Sequence, residues 1–231
     1  DGDDVVDIIL KQRQCAEFIC KKIYTYFVNP NIDASHLDEL TDLFYKDYDI
    51  EKLMRYLFIS DWFYNENNIG AKIKSPVELM VGIHKIVPSV FRKQRQVTYL
   101  QKMMGQILLY PVNVSGWKGD RYWIDSNSLM FRLKLPSVLL NNANISLNSK
   151  GEFEDDFSDF YNQKNQNFKV SDQARTYFET HYSNITKKEL KAVLVLPKLD
   201  QDTKEMLKIY QNQNAYQYCI QLMSIPEYQL C

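Results

Sequence analysis

Apolar residues recur every three or four positions along most of this chain, the spacing typical of helices with one buried face. The first such stretch runs from residue 4 to residue 28 and stops at Asn29 and Pro30, so the pattern predicts one long amphipathic helix there. Ser35 and Asp49 precede two further stripes, and we expect them to cap the second and third helices.

The fourth predicted helix has the clearest start signal in the chain. Ser75 is the expected N-cap, Pro76 the first helical residue and Glu78 the third. A serine hydroxyl accepts from an otherwise unpaired amide, proline has no amide to leave unpaired, and glutamate bonds back to the cap amide. This pattern predicts a capping box in which Ser75 and Glu78 have structural roles.

Five more helices are predicted, over residues 97–109 and 125–140 and after Ser171, Thr186 and Asp202, the last reaching Met223. Glycine and proline are scarce, with 7 of each, whereas sheet-rich folds need many tight turns. We therefore predict an all-α fold, an irregular multi-helix bundle of about eight to nine helices with one long polar insertion.

The predicted insertion covers residues 141–170, where Asn, Ser, Asp and Lys dominate. A long polar stretch of this kind indicates a surface excursion rather than a packed helix. The predicted organisation is therefore a helical part at 1–140, the insertion at 141–170, and closing helices at 171–231 that pack on the first part as one domain overall.

Charge and hydropathy exclude two classes of protein. The formal net charge is -1, from 28 basic and 29 acidic residues, and this balance lacks the basic excess of nucleic-acid binders. No run of 18 apolar residues occurs, so we predict no transmembrane segment. The chain opens at Asp1 without a methionine, and the lack of a signal peptide therefore leaves its compartment open.

The four cysteines, Cys15, Cys20, Cys219 and Cys231, and the three histidines show no spacing that suggests zinc. We predict no metal site and no cofactor. The first three cysteines are expected to be small buried side chains, and a long-range disulfide bond from Cys219 or Cys231 stays open.

Two runs between residues 70 and 132 are unusual for a plain helical bundle. The first is Lys74-Ser75-Pro76-Val77-Glu78; the second comprises Met104-Gly105-Gln106, Pro111, Val114, Gly116-Trp117, Trp123, Ser126 and Arg132. Together they resemble the signature of the bacterial family catalogued as domain of unknown function 1800. The opening helix around Cys15 and the closing Leu222-Met223-Ser224 and Pro226-Glu227-Tyr228 also fit, so the resemblance covers nearly the whole chain. Asp120 and Ile124 are mild departures from the family's usual residues.

The resemblance implies that this chain matches the C-terminal half of the family's proteins. Members commonly resemble secreted or envelope proteins and are often encoded beside another uncharacterised secreted family. It therefore implies a secreted, periplasmic or envelope-associated location. It also implies protein partners, namely an N-terminal half and the co-encoded protein, but no activity.

Within the signature, Lys74, Ser75 and Glu78 could form a catalytic trio with lysine as base and serine as nucleophile. The capping box explains Ser75 and Glu78 without chemistry. Lys74 also flanks a helix N-terminus, where the dipole favours an anion, so a bound carboxylate is an alternative.

The remaining candidates lie on the second run. Trp117 and Trp123 bracket a polar loop that includes Asn113, and they could either stack on a glycan or plug gaps between helices. Arg132 lies on an apolar helix, which suggests a buried carboxylate partner such as Glu78 or Asp125. The candidate ligand-binding residues are Lys74, Gln106, Asn113, Trp117, Trp123 and Arg132.

Two functions are consistent with these features. The first is a helical interaction module of a secreted or envelope-associated protein, working with a protein partner. The second is part of a hydrolase acting on extracellular glycan or peptide, with its site completed by an N-terminal half. Convergence of Lys74, Gln106, Asn113 and Arg132 on an open cavity would favour the second, and internal satisfaction of their polar atoms would favour the first.

Overall fold

The structure is a computed structural model that describes residues 1–88, 91, 94–141 and 173–231. Its described part contains eleven α-helices: α1 (Gly2–Leu10), α2 (Arg13–Phe27), α3 (Ala34–Phe44), α4 (Ile50–Ile59), α5 (Pro76–Ile86), α6 (Gln94–Met103), α7 (Ser126–Asn141), α8 (Gln173–His181), α9 (Lys187–Leu194), α10 (Gln201–Ile209) and α11 (Ala215–Met223). Short 3-10 helices cover Asp61–Tyr64, Glu66–Asn68, Asp120–Trp123 and Pro226–Gln229. The described residues form no sheet, and the predicted all-α class is confirmed.

The helix count is slightly above the predicted range because two long predicted helices are each divided. The first breaks after α1, where the hydroxyls of Tyr48 and Tyr45 donate to the carbonyls of Leu10 and Lys11 at 2.8 Å each. Side chains thus occupy carbonyls that a continuous helix would pair with its own amides. The predicted last helix is divided at residues 210–214. The helix α10 ends at Ile209, and the Asn214 side chain accepts from the amide of Gln217 and starts α11.

The chain divides into two compact units, Asp1–Lys72 and Ile73–Cys231. The sequence-based organisation, with parts at 1–140, 141–170 and 171–231 in one domain overall, stays a prediction. The predicted insertion at 141–170 lies, apart from Asn141, outside the described residues. None of the described helices is long and apolar enough to cross a bilayer.

The first unit has its own core between α2, α3 and α4. Its buried side chains are Ala16, Cys20, Tyr24, Val28, Leu40, Phe44, Leu53 and Leu57. The helix α1 adds little to this core, because eight of its nine residues are exposed and Leu10 is only half-buried. A cap at Asp33, whose carboxylate accepts from the amides of Ser35 and His36, begins α3 two residues before the predicted cap.

The second unit is built around α11, which buries six side chains: Tyr216, Tyr218, Cys219, Ile220, Leu222 and Met223. The helices α7, α8 and α9 pack against it. Thr186 and Glu189 form a capping box at the start of α9, which begins after Thr186 as predicted. This core also includes Leu79 and Ile83 of α5, and it therefore fixes the helix whose start carries the first signature run.

Candidate functional site

The start of α5 is a complete capping box. The Ser75 hydroxyl accepts from the amide of Glu78 at 3.2 Å, and the Glu78 carboxylate accepts from the amide of Ser75 at 2.7 Å. The amide of Val77 donates to the side-chain oxygen of Gln106 at 3.0 Å, and Pro76 has no amide. Every amide of the first turn is therefore used within the protein, which leaves none for an anion.

Arg132 lies on α7 with its side chain fully buried. Its Nε donates to the side-chain oxygen of Gln229 at 3.1 Å, and its Nη2 donates to the backbone carbonyl of Lys74 at 2.6 Å. Among the residues that the structure describes, no carboxylate forms an ion pair with Arg132, so neither Glu78 nor Asp125 has the expected role. A carbonyl and an amide hold this guanidinium instead.

Lys74 is tied to the C-terminal segment of the chain. Its Nζ donates to the carbonyl of Tyr228 at 2.7 Å and lies 4.0 Å from the centre of the Tyr228 ring. Its backbone amide donates to the carbonyl of Gln229 at 2.8 Å, and Ile73 pairs with Leu230 in an antiparallel bridge. Lys74 thus crosslinks the segment before α5 to the 3-10 helix Pro226–Gln229.

Burial dominates the electrostatics of this cluster. Desolvation lowers the pKa of Arg132 from 12.5 to about 10, and the negative charge of Glu78 raises it in part. Desolvation also lowers the pKa of Lys74, against the attraction of Cys231 and Glu78. Two buried donors of the cluster, Nη1 of Arg132 and Nε2 of Gln229, have no hydrogen-bond partner among the described residues. Burying an incompletely paired cation costs free energy.

Trp123 lies buried just before the start of α7. Its carbonyl accepts from the Ser128 hydroxyl at 3.0 Å. Ser128 also accepts from the amide of Asp125 at 2.8 Å, while the Asp125 carboxylate accepts from the amides of Asn127 and Ser128. The carboxylate that the sequence suggested as a partner for Arg132 therefore caps α7.

Asn113 and Trp117 do not join this cluster. The Asn113 side chain accepts from the amide of Ser115 at 2.8 Å, which closes a turn in which the amide of Gly116 donates to the Asn113 carbonyl. Trp117 is half-buried. Of the six candidates, Lys74, Gln106 and Arg132 therefore lie around the start of α5, whereas Asn113 and Trp117 lie in the segment between α6 and the 3-10 helix Asp120–Trp123.

Within this segment, residues 107–114, which we call the apolar loop, expose large apolar side chains. Leu109 is 89% exposed, Val112 79% and Val114 106%, and Leu108 and Tyr110 are also exposed. Isolated exposed apolar residues are common, but a run of five in one short loop is typical of an interaction surface. This surface was not predicted, because apolar residues were expected to be buried.

The apolar loop is held in shape by backbone and side-chain bonds. The amide of Tyr110 donates to the carbonyl of Ile107 at 2.9 Å, and the amide of Leu108 donates to the Gln101 side chain at 2.9 Å. Leu109 has a φ of 65°, a backbone conformation that bulky residues rarely adopt. The surrounding turn keeps Leu109 in a strained conformation with its side chain outward.

Sequence reasoning also missed Gln229 and Tyr228. The closing Pro226-Glu227-Tyr228 contributed to the family resemblance, but nothing local linked it to Lys74, which lies 154 residues from Tyr228 along the chain. Gln229 in turn lies 97 residues from Arg132. Only the folded chain shows that the two ends of the second unit meet at this cluster.

Other kinds of site are not found in the described part of the chain. Its His, Cys, Asp and Glu side chains form no group of three suited to a metal ion. Cys20 and Cys219 are buried thiols, and desolvation raises the pKa of Cys219 to about 12. A shallow hollow in the first unit is lined by Asp7, Leu10, Lys11, Tyr45, Lys46 and Tyr48, and it contains none of the predicted site residues.

These features define a class of protein, an all-α module whose buried arginine cluster joins α5, α7 and the C-terminal segment and whose apolar loop is exposed. The family model described as "Protein of unknown function (DUF1800)" matches residues 1–230. The chain belongs to this family, as its signature residues suggested. Neither the curated proteins nor the solved structures give a significant match.

Proposed function

We propose that this chain is a helical interaction module of a secreted or envelope-associated protein, and that the apolar loop is its contact surface. The observation that carries the proposal is the exposure of five large apolar side chains on a loop held by hydrogen bonds. Covering such a surface removes apolar area from water at little cost in loop ordering, because the loop is already fixed.

The polar candidates support interaction rather than catalysis. Lys74, Gln106 and Arg132 each bond to the protein backbone, and Ser75 with Glu78 closes a helix cap. A hydrolase needs polar groups that are free to meet a substrate and its attacking water. The family resemblance adds protein partners, an N-terminal half and a co-encoded secreted protein, as components that the module would help to hold in the envelope.

The test uses two matched double variants of the full-length natural protein in its own host. The loop variant carries Leu109→Asn and Val112→Ser; asparagine is chosen because it tolerates the positive φ of this position. The matched control carries Leu196→Asn and Ile209→Ser, which are also exposed, at 68% and 75%, but lie outside the loop.

The measurement is the share of protein that sediments with the cell envelope after cell lysis. We expect the loop variant to shift into the soluble fraction, while the matched control stays with the envelope like the parent. Envelope retention of the loop variant at the parent's level would contradict the proposal. A parent protein that never sediments with the envelope would exclude the envelope as what the loop contacts.

A further inference from the structure

From the apolar loop to residue 122, the kind of side chain changes in a defined order along the chain. Residues 103–117 contain no charged side chain, and their exposed apolar members lie between positions 108 and 114. Two aromatic residues follow, Trp117 and the exposed Tyr122, together with two exposed cations, Lys118 and Arg121. Along the chain, exposed apolar side chains are thus followed by aromatic and cationic ones. A bilayer changes in the same order from acyl chains to anionic headgroups.

Charge separates this surface from the helix α1, which is another exposed apolar segment among the described residues. The helix α1 exposes Val5, Val6, Ile8 and Ile9, but it lies among four aspartates at positions 1, 3, 4 and 7. An anionic lipid surface repels such a helix and attracts Lys118 and Arg121. The one acidic residue beside these cations, Asp120, accepts from the amide of Ile73 at 3.4 Å.

The conformation of the loop fits insertion as well. One tight turn lies within the loop at residues 107–110, and a second begins at its end, at residues 113–116. Backbone bonds of 2.9 and 3.0 Å close them. The amides of Tyr110 and Gly116 are thereby paired, whereas those of Leu109, Val112 and Val114 bond to no described residue. Because unpaired backbone groups are costly in hydrocarbon, the loop fits shallow insertion at the hydrated boundary of the acyl chains. The Lys118 ammonium lies 4.8 Å from the centre of the Tyr122 ring, and the two side chains therefore form one amphipathic flank.

We propose that the apolar loop binds an anionic lipid surface, with Leu109, Val112 and Val114 reaching the boundary between headgroups and acyl chains and Lys118 and Arg121 meeting headgroup phosphates. This inference rests on the proposed function, because it names the component that the contact surface binds. It assigns shallow insertion of one loop, in which two kinds of signal, apolar and cationic, act together.

The experiment measures co-sedimentation of the purified chain with vesicles of equimolar phosphatidylglycerol and phosphatidylcholine, and with vesicles of phosphatidylcholine alone. We expect binding to the anionic vesicles, and at least about tenfold weaker binding for Leu109→Asn with Val112→Ser. The matched control, Leu196→Asn with Ile209→Ser, should bind like the parent.

A third double variant, Lys118→Gln with Arg121→Gln, isolates the charge contribution. It should reduce binding to anionic vesicles by roughly fivefold per cation and leave binding to neutral vesicles unchanged. Brominated acyl chains should quench the fluorescence of the parent, and part of that quenching should disappear in Trp117→Phe. Far-UV circular dichroism of each variant verifies that its helices are retained.

The outcomes separate this inference from the proposed function. Absence of vesicle binding by the parent, or equal loss in the loop variant and the matched control, overturns the lipid assignment. If the loop variant nevertheless leaves the envelope fraction in cells, the proposed function stands and the surface that the loop contacts is a protein. If vesicles bind as expected but envelope retention in cells is unaffected by the loop variant, the proposed function fails.

Discussion

Replacing Arg132 and Gln229 by methionine, singly and together, measures the free energy stored in the buried cluster. Arg132 is fully buried and donates two hydrogen bonds, to Gln229 and to the carbonyl of Lys74. Hydrogen bonds from a charged donor contribute about 1.5–3 kcal/mol each, which gives about 3–6 kcal/mol before desolvation is considered. The guanidinium is also buried with its Nη1 unpartnered among the described residues, and desolvating a cation offsets several kcal/mol of that gain.

These opposing contributions predict that Arg132→Met causes only a modest loss of stability. Arg132→Met removes both the bonds and the desolvation penalty, so it should lower the free energy of unfolding by about 1–3 kcal/mol. Gln229→Met keeps the buried cation and removes the acceptor of its Nε, so it should cost as much or more. In the double variant no buried cation is left without its acceptor, and the combined loss should fall short of the sum by about 1–2 kcal/mol.

Urea unfolding, followed by far-UV circular dichroism and by tryptophan fluorescence, gives the four free energies of this cycle. Arg132→Lys is a useful companion, because it keeps the charge but cannot reproduce the two bonds of the planar guanidinium. Losses that add to within about 0.5 kcal/mol would show that the two side chains do not act together, and the account of the cluster would then be wrong.

Three further predictions concern other parts of the second unit. Trp123→Ala, at a buried side chain, should lower the free energy of unfolding by about 3–5 kcal/mol, and Trp117→Ala, at a half-buried one, by less than half as much; equal losses in denaturant titrations would contradict this. Because burial raises the pKa of Cys219 from 9.0 to about 12, its contribution to stability is present below pH 9 and is lost as pH rises towards 12. Cys219→Val should therefore show a smaller drop in melting temperature between pH 8 and pH 10.5 than the parent, and an unchanged drop would refute the assignment. Gly119→Ala should destabilise by about 1–3 kcal/mol because φ is +75° there, whereas Gly82→Ala, in a helix and with its Cβ 3.4 Å from the Tyr228 hydroxyl, should be neutral or stabilising in the same assay.

The parts of the fold that could be predicted from sequence are those set by neighbours along the chain. The capping box at Ser75 and Glu78 depends on atoms within one helical turn, and the same is true of the box at Thr186. The break between α1 and α2 could not be predicted, because it depends on hydroxyls of Tyr45 and Tyr48, which lie 34 and 38 residues from the carbonyls they bond. Periodicity continues across that break and gives no sign of it.

The same distinction applies to the candidate site, where contacts between distant residues could not be predicted from the sequence. Three polar residues of the signature runs, Lys74, Gln106 and Arg132, lie around the start of α5. The partner of Arg132 was sought among nearby carboxylates, because a buried cation ordinarily has one. A carbonyl and the side chain of Gln229 hold it instead. The apolar loop was missed for a different reason, since apolar patterning alone does not distinguish side chains that face the core from those that face outward.

The pairing of residues 73 and 74 with residues 228–230 constrains how this protein forms during synthesis. The first unit draws its core from residues 16–57 and can assemble as soon as those residues have left the ribosome. The buried bonds of Arg132, in contrast, need a glutamine made 97 residues later, and those of Lys74 a tyrosine made 154 residues later. Contacts between such distant residues form slowly, because a long loop has to close first. During synthesis, the bonds of Arg132 to Gln229 and of Lys74 to Tyr228 therefore cannot form until residues 228–230 have been made.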